Sequence, residues 1–355
     1  MLPVPAEPHL IESAARIIND GGLVAFPTET VYGLGADAFN AKAVEQIYAA
    51  KGRPNDNPLI LHVASVEHFL ELSESLPQYV MSLINAYWPG PLTLVVKKKC
   101  HLPSWVGGHP RGSTSTIGIR MPSHPVALQF LAAAGCPVAA PSANKSGRPS
   151  PTTYQHVKDD FTAQEIGMIL DGSGSDIGIE STVVDATGER PVILRPGAIT
   201  EEMITSTVSG NTALLKLTMH SQSTMECEAK QPAPPRSPGT KYRHYAPKAP
   251  MVILKGQPDN VAAHILNEYN TNERLGLLIT EPTQNILANH KLPSAKIMTL
   301  SHNNADVAKN LFAQLRSFDT LNVTQIYAEA VTDDGIGKAV MDRMIKAAEG
   351  NIVNV

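Results

Sequence analysis

The sequence predicts an α/β protein of two domains joined by a proline-rich linker. Three observations predict this. The chain has 355 residues, and at roughly 150 residues per domain that favours two domains. Short apolar strands alternate with amphipathic helices on both sides of residues 206–250. Within that stretch, residues 229–250 combine Lys230, Arg236, Lys241, Arg243 and Lys248 with Pro232, Pro234, Pro235, Pro238, Pro247 and Pro250, and contain no acid. So many prolines exclude a helix or a central strand and make a semi-rigid connector. The expected partition is 1–205, a linker at 206–250, and 251–355.

Local signals place the elements in order. Ile11, Ala14, Ala15, Ile17 and Ile18 line one face of a helix that ends at Gly21-Gly22. Leu23 to Phe26 is a strand. Asn40 caps a helix with Val44, Ile47 and Tyr48 on its apolar face, and Gly52 stops it. Leu59–Val63, Leu92–Val96, Thr116–Arg120, Pro137–Ala140 and Thr182–Val184 read as further strands. The loops between them are rich in Gly, Pro, Ser and Asn, which suits a small-molecule site on a rigid scaffold. Beyond the linker, strands at Val252–Leu254, Leu275–Ile279 and Thr324–Tyr327 alternate with helices at 259–269, 305–317 and 337–348. That order predicts a small open sheet.

Composition narrows the function. Hydrophobic residues make up 43% and charged residues 17%, against about 25% charged in typical chains, so whole-chain disorder and coiled coil are excluded. A net charge of −4 and pI near 6.3 exclude a bulk polyanion binder. Cys100, Cys136 and Cys227 form no C-x-x-C pair and read as free thiols of a reducing cytoplasm. Met1 to Pro5 shows no targeting pattern, and no apolar run reaches the ~18 residues of a membrane span. A soluble, cytoplasmic protein is expected. There is no Walker loop, G-x-G-x-x-G, G-x-S-x-G or H-E-x-x-H. Gly335-Ile336-Gly337-Lys338 reads as a turn and helix start, and no built-in metal site is expected.

Five constellations remain. Pro27 to Gly35 places Thr28, Glu29 and Thr30 after a strand, where hydroxyls line ligand crevices or cap a turn. Lys51 and Arg53 flank Gly52 before the Pro54–Pro58 loop; a helix C-terminus favours cations, and two beside a proline-locked loop also suit a polyphosphate. His62 closes the next strand, in either a structural or a functional role. In Thr116–Arg120, alternation puts Thr116, Gly118 and Arg120 on one face and Ile117 and Ile119 on the other. A buried Arg120 needs an anion, from a protein carboxylate or from a ligand. Ala139 to Ser150 opens into small hydroxyls, Asn144, Lys145 and Arg148, donors suited to phosphate oxygens. Glu180–Asp185 and Val192–Gly197 read as a hairpin with Ser181 and Arg195 near its ends. Together these suggest a nucleotide site without a Walker motif.

The blocks Thr28-Glu29-Thr30-Val31-Tyr32-Gly33-Leu34, Lys51-Gly52-Arg53 with Asn57-Pro58-Leu59, Trp88-Pro89-Gly90-Pro91-Leu92-Thr93, Pro141-Ser142-Ala143-Asn144 and Glu180-Ser181-Thr182-Val183 resemble the YrdC-type threonylcarbamoyl-AMP synthases. The linker segment Ser237 to Pro247 and the extra C-terminal domain resemble the long, two-domain form. Thr240, where methionine is expected, is the visible departure. The resemblance implies a YrdC-like catalytic domain with a central twisted sheet and a loop-rich cleft, and a smaller Rossmann-like domain. It implies that L-threonine, bicarbonate or CO2, and ATP give threonylcarbamoyl-AMP and pyrophosphate. The product then feeds N6-threonylcarbamoyladenosine formation in tRNA by separate proteins.

By the same resemblance Lys51, Arg53, Ser142 and Asn144 form the catalytic group. Thr30, His62, Arg120, the backbone at Ala140, and Ser181 bind L-threonine. Arg53, Asn57, Thr116, Ser142, Ser150, Arg195 and Tyr245 bind ATP, with Mg²⁺ arriving on the nucleotide. The linker is expected to close over the site through Tyr245, then Tyr242. Direct tRNA binding is expected to be weak or absent. Two rivals stand beside this reading. One is an RNA-binding translation or tRNA-maturation factor using Lys241 to Tyr245. The other is a carbamoyl-transfer maturation enzyme, which would be expected to carry cysteine zinc modules.

Overall fold

The computed structural model describes residues 7–209, 244–269, 274–290, 292 and 295–355. Most of the expected linker, with Cys227, Thr240 and Tyr242, lies outside the described residues. The described chain divides into two units. Residues 7–146, 151–176 and 180–209 form the first, and 147–150, 177–179 and the described part of 244–355 form the second.

The first unit contains, in order, α1 (Pro8–Asn19), β1 (Val24–Phe26), β2 (Gly33–Asp37), α2 (Ala41–Lys51), β3 (Ile60–His62), α3 (Val66–Leu72), α4 (Gln78–Tyr87), β4 (Leu92–Lys97), β5 (Thr116–Arg120), α5 (Pro125–Ala134), β6 (Val138–Ala140), α6 (Tyr154–Asp160), β7 (Met168–Ile169), β8 (Thr182–Asp185), β9 (Val192–Arg195) and α7 (Glu201–Ser209). Its sheet runs β7-β1-β2-β6-β3-β5-β4-β8-β9. Pairing is mixed: β3 lies parallel to β5 and antiparallel to β6, and β5 lies antiparallel to β4. Helix α7 runs through Ser209, past the expected boundary at 205, because Ile204 and Val208 are buried and the Tyr87 hydroxyl reaches Thr207 Oγ1 at 2.7 Å.

The capping signals act as expected. Asn40 accepts a hydrogen bond from the Ala43 amide, and Gly52 ends α2 in the left-handed region at φ 61°. A side chain there would meet no atom within 4 Å, so backbone conformation and not space calls for glycine. The main core packs Leu61, Leu94, Val96, Ile117, Ile119 and Val184 against Val44, Ile47 and Leu83. This is the apolar face of β5. A second core joins α1 and α5 to Val24, Phe26, Val138 and Ala140 and includes no residue of β4, β5 or β8. On the face carrying Gly118 stand Thr93, Ile60 and Val95, whose side chains lie 3.5–3.9 Å from where a Gly118 side chain would begin. That face, small and partly polar, is where the site is built.

The second unit contains β10 (Met251–Lys255), α8 (Pro258–Tyr269), β11 (Leu275–Thr280), α9 (Glu281–Leu287), β12 (Lys296–Leu300), α10 (Asn304–Thr320), β13 (Gln325–Glu329), α11 (Gly337–Ala347) and β14 (Ile352–Asn354). All its pairs are parallel, in the order β12-β11-β13-β10-β14. The open α/β sheet is as expected. Its fourth strand lies between the second and the first, whereas the usual dinucleotide order keeps the first beside the second. Gly337 starts α11 after a turn in which its amide donates to Asp334 O at 2.7 Å.

Candidate active site

Lys51 is the last residue of α2 and is buried. Its ammonium donates to the carbonyls of Ser142 and Asn144, in the loop after β6. The Ser146 amide returns a bond to Lys51 O at 2.8 Å. The same loop is tied to the first strands, because Leu34 N donates to Pro141 O and Ala143 N to Tyr32 O. Ser142 Oγ donates to Asn144 Oδ1 at 2.5 Å, and Asn144 Nδ2 donates to Lys145 O. Lys51, distant in sequence from Ser142 and Asn144, thus joins them in one cluster, with the buried cation fixing a loop of backbone carbonyls and donors.

Arg53 follows Gly52 and holds the Pro54–Pro58 loop from inside. Its Nε donates to Asn57 O at 3.1 Å and its Nη2 to Pro58 O at 2.7 Å. The Tyr48 hydroxyl donates to Asn57 O as well, and burial pushes that phenol up to about 12. Asn57 is 2% exposed, and its Oδ1 has no hydrogen-bond partner. A buried orphan acceptor calls for an explanation, and a ligand donor is one. Beside this loop lies a cavity of about 1210 Å³, walled by Asn55, Asp56, Pro58, Lys97, Arg111 and Thr116. A smaller one of about 30 Å³ lies over Thr93, Thr116 and Gly118.

Arg120 ends β5 in register with His62 on the neighbouring strand. Its buried guanidinium has three protein partners: Nε donates to Gly90 O at 3.2 Å, Nη1 to Thr30 Oγ1 at 2.7 Å, and Nη2 lies 2.7 Å from Glu29 Oε1. The anion that a buried arginine requires is therefore a protein carboxylate in this structure. Sequence reasoning left that choice open and did not single out Glu29; the available signal was its position between Thr28 and Thr30. Thr28 spends its one proton on Val31 O, so Thr30 donates to Thr28 Oγ1 and accepts from Arg120. His62 is buried, and its pKa is lowered to about 3, first by loss of water and then by the Arg120 charge. It is a neutral imidazole at ordinary pH. Ala140 ends β6 in register with Ile60.

Ser181 and Arg195 sit at the mouth of the β8–β9 hairpin. Arg195 Nε and Nη2 both donate to Ser181 O, at 3.1 and 3.0 Å, and Nη2 reaches Ser181 Oγ at 3.2 Å. Ser181 Oγ lies 2.7 Å from Thr93 Oγ1 on β4. Gly197 passes so close that a side chain would meet Thr182 N at 2.3 Å. Ser150 and Tyr245 belong to the second unit. Ser150 is fully buried. Tyr245 has φ 65°, stacks on Phe312 of α10 at 5.1 Å, and has the Arg343 guanidinium 5.8 Å from its ring centre.

Two family models cover most of the chain. Residues 16–197 match the Sua5/YciO/YrdC family, described as telomere recombination, and residues 199–349 match the threonylcarbamoyl-AMP synthase C-terminal domain. The threonylcarbamoyl-AMP synthase of Bacillus subtilis is 40% identical over 348 residues, which is 97% of this chain and 94% of that protein. The chain belongs to this family. The Pyrococcus abyssi synthase is 39% identical over 345 residues, 97% of this chain and 96% of that one. The crystal structure of P. abyssi Sua5 complexed with L-threonine superimposes with TM-score 0.86 at 37% identity, covering 100% of this chain and 98% of that one. These likenesses favour the enzyme over the RNA-binding factor. No helix among the described residues is long and apolar enough to cross a membrane.

Proposed function

We propose that the first unit makes threonylcarbamoyl-AMP from L-threonine, bicarbonate or CO2, and ATP, releasing pyrophosphate. The observation that carries this reading is the donor count at Arg120. A guanidinium has five N–H groups. Two are donated to Gly90 and Thr30, while Nη2 lies 2.7 Å from Glu29 without an aligned hydrogen bond, so N–H groups on both terminal nitrogens remain for a bidentate carboxylate. Thr30, the neutral His62, the Ala140 backbone and Ser181 complete an amino-acid pocket around it. The threonine amine, once deprotonated, adds to CO2 and gives up a second proton to solvent to form a carbamate, whose oxygen attacks the α-phosphorus of ATP as the bond to pyrophosphate breaks.

This chemistry needs positioning and fixed charge rather than a protein nucleophile. Lys51, Arg53, Ser142 and Asn144 supply them around the α-phosphate and carbamate. Asn57, Thr116 and Arg195 complete the nucleotide contacts of the first unit, and the orphan Asn57 Oδ1 favours a donor from the nucleotide. Among the described residues no group of three His, Cys, Asp or Glu is arranged to hold a metal ion. In this reading Mg²⁺ comes with ATP, where it neutralises the leaving group. The catalytic part is the first unit, described through Ser209 at the end of α7, and the smaller domain carries 251–355. The site is cytoplasmic and hands its product to a separate tRNA threonylcarbamoyl-transfer machinery, with little direct tRNA contact.

Pyrophosphate release with ATP, Mg²⁺ and bicarbonate, with and without L-threonine, tests the reading. Release that requires threonine is expected. A folded, ATP-binding chain that releases none overturns it. Serine, short of one methyl, loses about 1–3 kcal/mol and is partly accepted, whereas valine leaves the hydroxyl partners unmet and is rejected more strongly.

A further inference from the structure

The amino-acid pocket holds a charged group to which the proposed reading assigns no role. Glu29 is 6% exposed, and neither of its carboxylate oxygens has an aligned hydrogen-bond partner; nor does Arg120 Nη2. The 2.7 Å approach of Glu29 to Arg120 is a contact of charges. Geometry alone does not call for it, since Gly90 O and Thr30 Oγ1 already fix the guanidinium plane through Nε and Nη1. The nearby His62 adds no charge. Without Glu29 the pocket is a lone buried cation, which favours any small carboxylate. With it, the buried pair has no net charge and leaves two carboxylate oxygens awaiting donors.

We propose that Glu29 is a specificity-determining positioning residue, which balances Arg120 so that the pocket takes an α-amino acid zwitterion and turns away acids that lack the ammonium. An α-amino acid carries its ammonium one carbon from the carboxylate, so a carboxylate seated on Arg120 brings three N–H donors into the field of Glu29. Like-charge repulsion between Glu29 and an incoming carboxylate is offset only when that ammonium is present. This rests on the proposed reading of Arg120 as the carboxylate receptor.

The test is calorimetric titration of the full chain with L-threonine and with 3-hydroxybutanoate, which keeps the carboxylate and hydroxyl but lacks the ammonium. The unsubstituted protein is expected to bind threonine and to prefer it about 100-fold; in E29Q, threonine weakens about tenfold or more while 3-hydroxybutanoate holds or tightens, so the preference collapses. The threonine KM is expected to rise with that loss, and ATP binding to stay within about twofold. Parallel weakening of both ligands, or no change in either, overturns the proposal, because a packing role moves both together. Failure of the unsubstituted, ATP-binding protein to bind threonine overturns the functional reading itself and is seen before any variant is made. If E29Q does not fold, E29D serves: retaining the charge, it is expected to keep the preference with weaker threonine binding, and a lost preference overturns the assignment.

Discussion

In the second unit the sheet is built from Ile253, Leu254, Leu277, Leu278, Ile279 and Ile326, all fully buried. Its buried strand carboxylate, Glu329, is satisfied nearby by the amide and hydroxyl of Thr280 at 2.8 Å. Central strands of the first unit hold Thr93, Gly118, Arg120 and His62 instead. Both sheets have one job in common, burying apolar surface. The first gives up part of one face, where α1 and α5 pack on neighbouring strands and the second core omits β4, β5 and β8. A sheet face with a glycine, hydroxyls and a balanced charge pair is poor packing material but suits a polar ligand.

Four experiments break or sharpen that contrast. The largest effect is expected from Arg120→Ala, which removes the carboxylate receptor and leaves Glu29 buried alone. Truncating one partner of a buried charge pair costs about 2–5 kcal/mol, so threonine-dependent pyrophosphate release should fall about 30-fold or more. Activity within threefold would remove Arg120 from the site. Next is Leu277→Ala, in the sheet of the second unit. A cavity there is expected to cost about 2–5 kcal/mol in denaturant unfolding while threonine affinity, measured on the folded protein, is unchanged. A threonine site that fails with it would erase the division between the sheets.

Gly118→Ala makes a smaller and more selective change. The new methyl lies 3.5 Å from Thr93 Cγ2, an ordinary contact, so stability should shift by about 1 kcal/mol or less. It fills the face of the small cavity, and ATP affinity is expected to drop about tenfold. Unchanged ATP binding would put the nucleotide elsewhere. The smallest effect concerns His62. Its folded pKa of about 3 lies below the ordinary 6.5, so between those values the unfolded chain binds a proton that the folded chain refuses. Stability from this group therefore falls as pH drops below 6.5 and is unaffected above it, with a slope of up to one proton. His62→Gln should flatten an acid-stability curve by that proton. Identical slopes would show that the imidazole titrates normally.

Much of the fold could be read locally. Asn40 and Gly52 mark the ends of α2 by their own chemistry, and alternation in Thr116–Arg120 places its polar face correctly. Elements without such signals were not expected from sequence. β2 is Gly-Leu-Gly-Ala-Asp, with no β-branched residue, and becomes a strand through its partners on both sides. β14 and most of β12 are exposed at sheet edges, where alternation is not enforced by burial. The short helices α3 and α6 span seven residues each, too few for a periodic pattern to stand out.

By itself the sequence determined the two-domain α/β class, the ordered motif blocks that mark the family, and the face of β5 on which Arg120 stands. Those follow from neighbours in the chain: caps, periodicity and spacing act over a few residues. Only the tertiary structure decided that Arg120 meets Glu29, that Lys51 is spent on the carbonyls of Ser142 and Asn144, and that His62 is held neutral. Each depends on which distant groups share a buried, water-poor space. There the interaction of charges is set by distances that no local pattern encodes.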